Sequence, residues 1–437
     1  MRSKAIAAVG VAAVGALALA ACTGGGSSGG ASSGGATAAG PITLNYWAWG
    51  TAQDGMVAAW NKSHPEIQVK RTDAGGGTDS STKLLTATRA GNAPDTALVE
   101  FQTVPAMIVA NVATDITKYV GDAKGSFTNS VWSLVTFNGA IYGVPQDVGP
   151  MAFIYNKARL DKLGVSLPTT WAEFATAAKK VHAADPSTYL STFNTSEFGF
   201  FAGMAQEAGA KWWSVDGTTW TVQIDGPESI AVANYWQDLL DSGAIKAEDL
   251  LTPQWNQELN KGNILSWPSA LWAPGVIYGV APKMAGQWAM APLPQWTPGK
   301  SAVAYQGGSA VVVTTSSKHP KEAAAFAAWI NSSQEGAGVQ LSTGQYPASK
   351  LGQESATKSA PPLLMPQQTD YWQLGSKIAA NTIPSISWGP DVNVASSAFQ
   401  DAMAKAVANR TPLRDALTEV QKVVVADMKK TGFTVAN

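Results

Sequence analysis

The folded part of the chain alternates two hydrophobic periods. Ile42 to Trp49 is apolar with Gly50 behind it, which predicts a strand. Gly55 to Ser63 places Met56, Val57 and Trp60 on one helical face, and His64-Pro65 stops it. Ile67 to Thr72 predicts a second strand and Thr82 to Ala90 a second helix, with Leu84, Leu85 and Thr88 on one side. Thr96 to Glu100 predicts a third strand. Strands separated by helices imply a parallel sheet covered by helices, an α/β fold.

Further along, Asn138-Gly139 between apolar residues predicts a hairpin. Met151 to Tyr155 predicts a strand. Thr170-Trp171-Ala172-Glu173 has the form of a capping box, followed by a buried stripe of Trp171, Phe174, Ala178 and Val181. Ser309 to Thr314 is β-branched and strand-like, and Pro320 opens a helix with Ala323, Phe326 and Ile330 inward. Two helices close the chain. The first carries Phe399, Met403 and Val407; the second, capped by Thr411 and opened by Pro412, carries Leu413, Leu417, Val420 and Val424. Neither repeats nor blocks of like charge interrupt this pattern.

The first forty residues follow a different rule. Arg2 and Lys4 precede a small apolar run that ends in Leu19-Ala20-Ala21-Cys22, the form of a secretory signal. Leu-Ala-Ala-Cys resembles the lipobox of bacterial lipoproteins, which implies cleavage after residue 21 and a lipid anchor on Cys22 in the membrane. Residues 22–40 are nearly all Gly, Ser, Ala and Thr, too poor in apolar area to fold, and read as a flexible tether.

Charge narrows the function. The formal net charge of −1 lacks the basic excess expected of a nucleic-acid binder. One cysteine and three histidines leave no set of soft ligands for a metal, and no cofactor motif is seen. The three histidines sit at helix ends or on the surface, and no acid/nucleophile motif or Gly-x-Ser-x-Gly elbow appears, which argues against an enzyme. Tryptophan is over-used, 17 against 10 Tyr and 12 Phe; core packing accounts for most of them, and several would line a site that wants flat apolar surfaces.

The segment FNGAIYGVPQDVGPMAFIYNKARLDKLGVSLPTTWAEFATAAKKV, residues 137–181, carries a Gly-x-x-Tyr-Gly-Val-Pro hairpin, a Tyr-Asn-Lys strand end and a Pro-x-Thr-Trp-x-Glu-Phe helix start. It resembles the family 1 extracellular solute-binding proteins, which include the maltose-binding type. Weaker matches flank it at Gly91 to Asp95, Ala291 to Pro294, Gly307 to Ala328 and Gly344 to Ala348. Residues 188–217 do not align, and Gly262-Asn263-Ile264-Leu265 departs from the usual pattern. The resemblance implies a periplasmic-binding-protein-like (type II) fold with two hinged lobes. Residues 41–148 and 307–350 would form one lobe, and 149–306 and 351–437 the other. It also implies a monomer that carries a carbohydrate ligand to the permease subunits of an ATP-driven importer. A secreted hydrolase and a binder of a non-sugar solute are the alternatives.

A sugar offers C–H faces that stack on indole and hydroxyls that suit carboxylates and amides. Trp47 and Trp49, two apart at a strand end, point one way, and Glu100 and Gln102 end the third strand at the matching edge. Arg71 and Arg89, near the same edge, read as exposed. Asp147 precedes the first chain crossing, where relatives often carry an acid; its alternative is a turn. Trp267 and Trp272 form a second wall by resemblance. Gly307 and Gly308 sit at the second crossing as hinge or plain turn. Trp388 and Asp391 precede a helix start, and of the adjacent Trp212 and Trp213 at most one faces the ligand, Trp213 being the candidate.

Overall fold

The computed structural model describes residues 41–383 and 388–436, all but the side chain of Thr78. The signal segment, Cys22 and the 22–40 tether lie outside the described residues. From Pro41 onward the chain packs as one compact unit.

Three parallel strands begin the fold: β1 (Ile42–Trp47), β2 (Ile67–Thr72) and β3 (Thr96–Glu100). Helices Ala52–Ser63 and Gly77–Arg89 connect them, as their apolar stripes predict. Next comes β4 (Val144–Asn156), a strand of 13 residues, every one buried. A separate hairpin follows as β5 (Trp213–Asp216) and β6 (Thr219–Val222). The main sheet resumes with β7 (Ser266–Ala270), β8 (Trp288–Pro292) and β9 (Tyr305–Val313). Its seven strands run β7-β4-β9-β3-β1-β2, with β8 also paired to β4. Only the β1–β3 part is parallel; β4 and β9 run antiparallel to their neighbours.

Alternation along β4 separates two cores. Ala152 and Ile154 face a core shared with Leu44, Tyr46, Trp60 and Phe326, while Met151, Phe153 and Tyr155 face one built on Trp171, Phe174, Trp236 and Phe399. A third, smaller cluster under helix Gly77–Arg89 holds Leu84, Ala97, Val99 and Val312. The capping box forms as read: Thr170 accepts from the Glu173 N–H, and the Glu173 carboxylate reaches back to the Thr170 N–H. The last two helices are Val392–Asn409 and Leu413–Lys430, with Phe399, Met403, Leu417, Val420 and Val424 buried.

Four local readings change. The strand expected at 151–155 extends back to Val144, so Asp147 lies within a strand and not in a turn. Gly307 and Gly308 form no turn either; they sit inside β9. Thr411 does not cap the last helix, because Pro412, in extended conformation, takes the N-cap position without a side-chain bond. Arg71 is largely covered, its side chain 13% exposed and paired with Asp54 and Asp73 at 2.9 Å each.

Candidate functional site

Three passes of the chain lie side by side at the middle of β4. Asp147 and Val148 pair with Ser309 and Gly308 of β9. On the other edge, the Ala348 N–H donates to the Gln146 carbonyl and the Val148 N–H to the Tyr346 carbonyl. The register between β4 and β9 shifts here: Tyr305 opposes Pro150 and Gly308 opposes Val148, so β9 carries one extra residue. Gly307 and Gly308 have φ of +68° and +89°. That conformation is strained for any residue with a Cβ.

The bulge aims polar side chains at one place. Ser309 stands opposite Glu100 on one neighbour and Asp147 on the other, and its hydroxyl donates to the Asp147 carboxylate. Gln102 donates to Glu100 over 2.9 Å. Gln306 donates to Glu197 over 2.9 Å and accepts from the Ser269 hydroxyl over 2.9 Å. The Trp272 indole N–H donates to the Gln306 carbonyl over 3.1 Å. Glu197 stands at the N-cap position of helix Phe198–Glu207, where the dipole favours an anion, although no side-chain cap bond forms.

Three carboxyl groups therefore share a small space in which, among the described residues, no lysine or arginine pairs with them. Burial pushes Glu100 up to about 7, and the charges of Glu197 and Asp147 add to it; the Gln102 amide opposes the shift. Burial likewise raises Asp147 to about 6 against hydrogen bonds from Ser309. Glu197 is raised by burial, opposed by the Gln306 amide. Such a floor offers acceptors and, when protonated, donors, the complement of a polyol.

Beside the floor lies a cleft. A narrow gap lined by Phe101, Gln102, Tyr305, Gly307 and Trp388 leads to a cavity of about 330 Å³. One wall is Phe101, Pro105, Leu134 and Phe137; the other is Val215, Trp220, Ile383 and Trp388. A larger recess of about 860 Å³, beside helices Ala273–Val280 and Gln334–Ser342, shares none of the floor or cleft residues. Among the described residues no group of three or more His, Cys, Asp or Glu could hold a metal.

The structure thus brings together Glu100, Gln102, Asp147, Trp272, Gly307, Gly308 and Trp388. It does not bring the others to the cleft. Trp47 packs against the small third core, and Trp49 lies over Gly76, 3.3 Å from where a Cβ would be. Trp213 is 1% exposed, its indole against Gly389. Trp267 is 6% exposed, edge-on to both Trp255 and Trp272, and so buttresses Trp272 from behind. Asp391 occupies the N-cap position of the first closing helix with neither carboxylate oxygen bonded; burial, chiefly, raises it to about 7.

Residues not foreseen include Glu197, Gln306, Trp220 and Tyr305. Gln306 immediately precedes the glycine pair, and Glu197 and the start of the β5–β6 hairpin lie in the segment that matched no motif.

Known proteins are similar to this chain in sequence and fold. The chain is 27% identical over 300 residues to an arabinooligosaccharide-binding protein of Halalkalibacterium halodurans, covering 64% of each chain. It is 25% identical to one of Bacillus subtilis, covering 68% of this chain and 71% of that one. A binding protein of B. animalis subsp. lactis solved with β-1,6-galactobiose superposes with a TM-score of 0.84 at 27% identity, covering 91% of this chain and all of that one. The galacto-N-biose-/lacto-N-biose I-binding protein of Bifidobacterium longum gives 0.82 at 29% identity over the same shares. The fold is accordingly α/β and two-lobed, of the periplasmic-binding-protein type. With its family model matching residues 49–337, this chain belongs to the bacterial extracellular solute-binding proteins.

Proposed function

We propose that the protein captures a sugar or short oligosaccharide in the cleft and delivers it to the permease of an ABC importer. The supporting observation is the floor: three buried carboxyls and two amides, edged by Trp272 and Trp388, with no basic side chain among the described residues paired to them. Relatives that bind arabinooligosaccharides, galactobiose and lacto-N-biose favour the same ligand class. The strands that cross at Asp147 and Gly308 serve as the hinge. A ligand that touches both lobes stabilises the closed form by its differential affinity. The protein binds and releases; it does not turn its ligand over.

The mature chain begins at Cys22 and hangs from the outer face of the membrane by its lipids, through the 22–40 tether. Mass spectrometry of the protein from its own membrane would show Cys22 acylated; an unmodified amino terminus would remove the anchor. The binding role is tested by thermal unfolding across galacto-, arabino- and gluco-oligosaccharides. A true ligand raises the midpoint with the logarithm of its concentration. A panel in which no saccharide shifts it would remove the sugar reading.

A further inference from the structure

The three carboxyls of the floor come from three separate elements. Glu100 ends β3, Asp147 lies within β4, and Glu197 stands before helix Phe198–Glu207. Ser309 of β9 is the register partner of Glu100 on one side and of Asp147 on the other. The two acids therefore share one face of the sheet, two strands or about 10 Å apart at the backbone. Each carboxyl accepts from a neutral donor: the Gln102 amide for Glu100, the Ser309 hydroxyl for Asp147 and the Gln306 amide for Glu197.

The surroundings bring no counter-ion. Asp249 adds a further negative charge that acts on Glu197, and is itself held by the N–H and hydroxyl of Thr195. On β1, Tyr46 feels Asp147 and donates to Gln53; at the gap stands Tyr305. Burial pushes both phenols up, so both stay neutral. Arg71 acts on Tyr46 but is paired with Asp54 and Asp73. Among the described residues no Lys, Arg or His forms an ion pair with Glu100, Asp147 or Glu197.

Closure over a saccharide takes this floor out of water and supplies hydroxyls, not cations. Carboxylates left ionised together in such a space repel one another at low dielectric. A protonated carboxyl avoids that cost and donates to a ligand hydroxyl, while its neighbours remain acceptors. Without a ligand, Glu100 and Glu197 keep some exposure to water and ionise more freely. We infer that capture of an uncharged saccharide takes up one proton from the solvent, held among Glu100, Asp147 and Glu197 and returned when the saccharide leaves. The inference rests on the sugar-binding reading above. Because the bound form holds more protons than the free form, affinity falls as pH rises. Burial already lifts Asp147 to about 6 and Glu100 to about 7, which places the fall above that range.

Calorimetry with β-1,6-galactobiose, lacto-N-biose and arabinobiose, in pairs of buffers of different ionisation enthalpy, tests it. For whichever disaccharide binds, affinity should fall about tenfold or more from pH 6.5 to 8.5, and the heats should differ between buffers in the sense of proton uptake. Glu100→Gln, neutral at every pH, should flatten the slope and reduce the uptake; if it does not bind, the parent's uptake decides alone. Asp391→Asn is the control. Asp391 is also raised to about 7 by burial but lies outside the cleft, so slope and uptake should persist. An affinity that is level or rises with pH, or binding without proton uptake, would overturn the coupling. So would a slope lost in Asp391→Asn and kept in Glu100→Gln. If no saccharide shifts the unfolding midpoint at any pH, the sugar reading itself has failed and the coupling goes with it.

Discussion

A Cβ placed on Gly149 would lie 2.2 Å from the carbonyl oxygen of Gln306. The two strands that cross the molecule touch there, backbone to backbone, at the position where β9 bulges. The same Gln306 carbonyl takes the Trp272 indole, and its side chain holds Glu197 and Ser269. Gly149 thus sets where the floor's central amide stands. Gly149→Ala should force β4 and β9 apart, with a loss of roughly 1–3 kcal/mol of stability, the usual cost of overpacking, and weaker ligand binding through the displaced amide. Chemical denaturation and calorimetry measure the two effects; an alanine variant equal to the parent in both would show that the crossing adjusts freely.

Trp388 and Trp267 should separate binding from stability. Trp388 lines the cleft and is half-buried, its ring 6.1 Å from those of Phe198 and Trp213. Trp388→Ala is expected to weaken ligand binding about tenfold or more while the protein stays folded. Trp267 is core. Trp267→Ala should cost about 3–5 kcal/mol, the range for large-to-small changes of buried aromatic residues, and should weaken binding only through Trp272, which it supports. The reverse pattern, a stable Trp267 variant that no longer binds, would place Trp267 in the cleft after all.

The helix stripes, the capping box and the parallel start were legible because each is a local rule: period, cap and spacing lie within one stretch of chain. Glu100 was legible for a related reason, since a carboxylate in an apolar strand is costly without a purpose; Asp147 was marked by the resemblance, and its place within a strand was not read. The tryptophans were harder. Trp47 and Trp388 look alike in sequence, and only the third core under helix Gly77–Arg89 decides that Trp47 packs inward. Glu197 and the start of the β5–β6 hairpin lie in the segment that matched no motif, and Glu197 joins the floor only through a contact with Gln306 that spans more than a hundred positions. The bulge at Gly307 and Gly308 depends on the register of two strands, which neither strand encodes alone.

Glu207 offers a test of the second core through pH. It is 8% exposed at the end of helix Phe198–Glu207, with one carboxylate oxygen unpartnered and the other 3.4 Å from the Trp171 indole nitrogen. Burial pushes its carboxyl up from 4.5 to about 8; the Trp171 hydrogen bond only partly opposes this. The native state therefore holds this proton more tightly than the unfolded chain does. Where the native state binds more protons, stability falls as pH rises. Glu207's contribution is fully present below about 4.5 and is lost as pH climbs through about 8. Glu207→Gln keeps the shape and the acceptor for Trp171 but removes the titration. Its unfolding midpoint should match the parent's near pH 4.5 and exceed it at pH 8.5, where the parent must bury a charge or break the contact. Glu100 and Asp147 titrate in both proteins and cancel in the difference between them. Parallel midpoint curves for the two proteins from pH 4.5 to 8.5 would mean that Glu207 reaches solvent and that the core around Trp171 is looser than the structure has it.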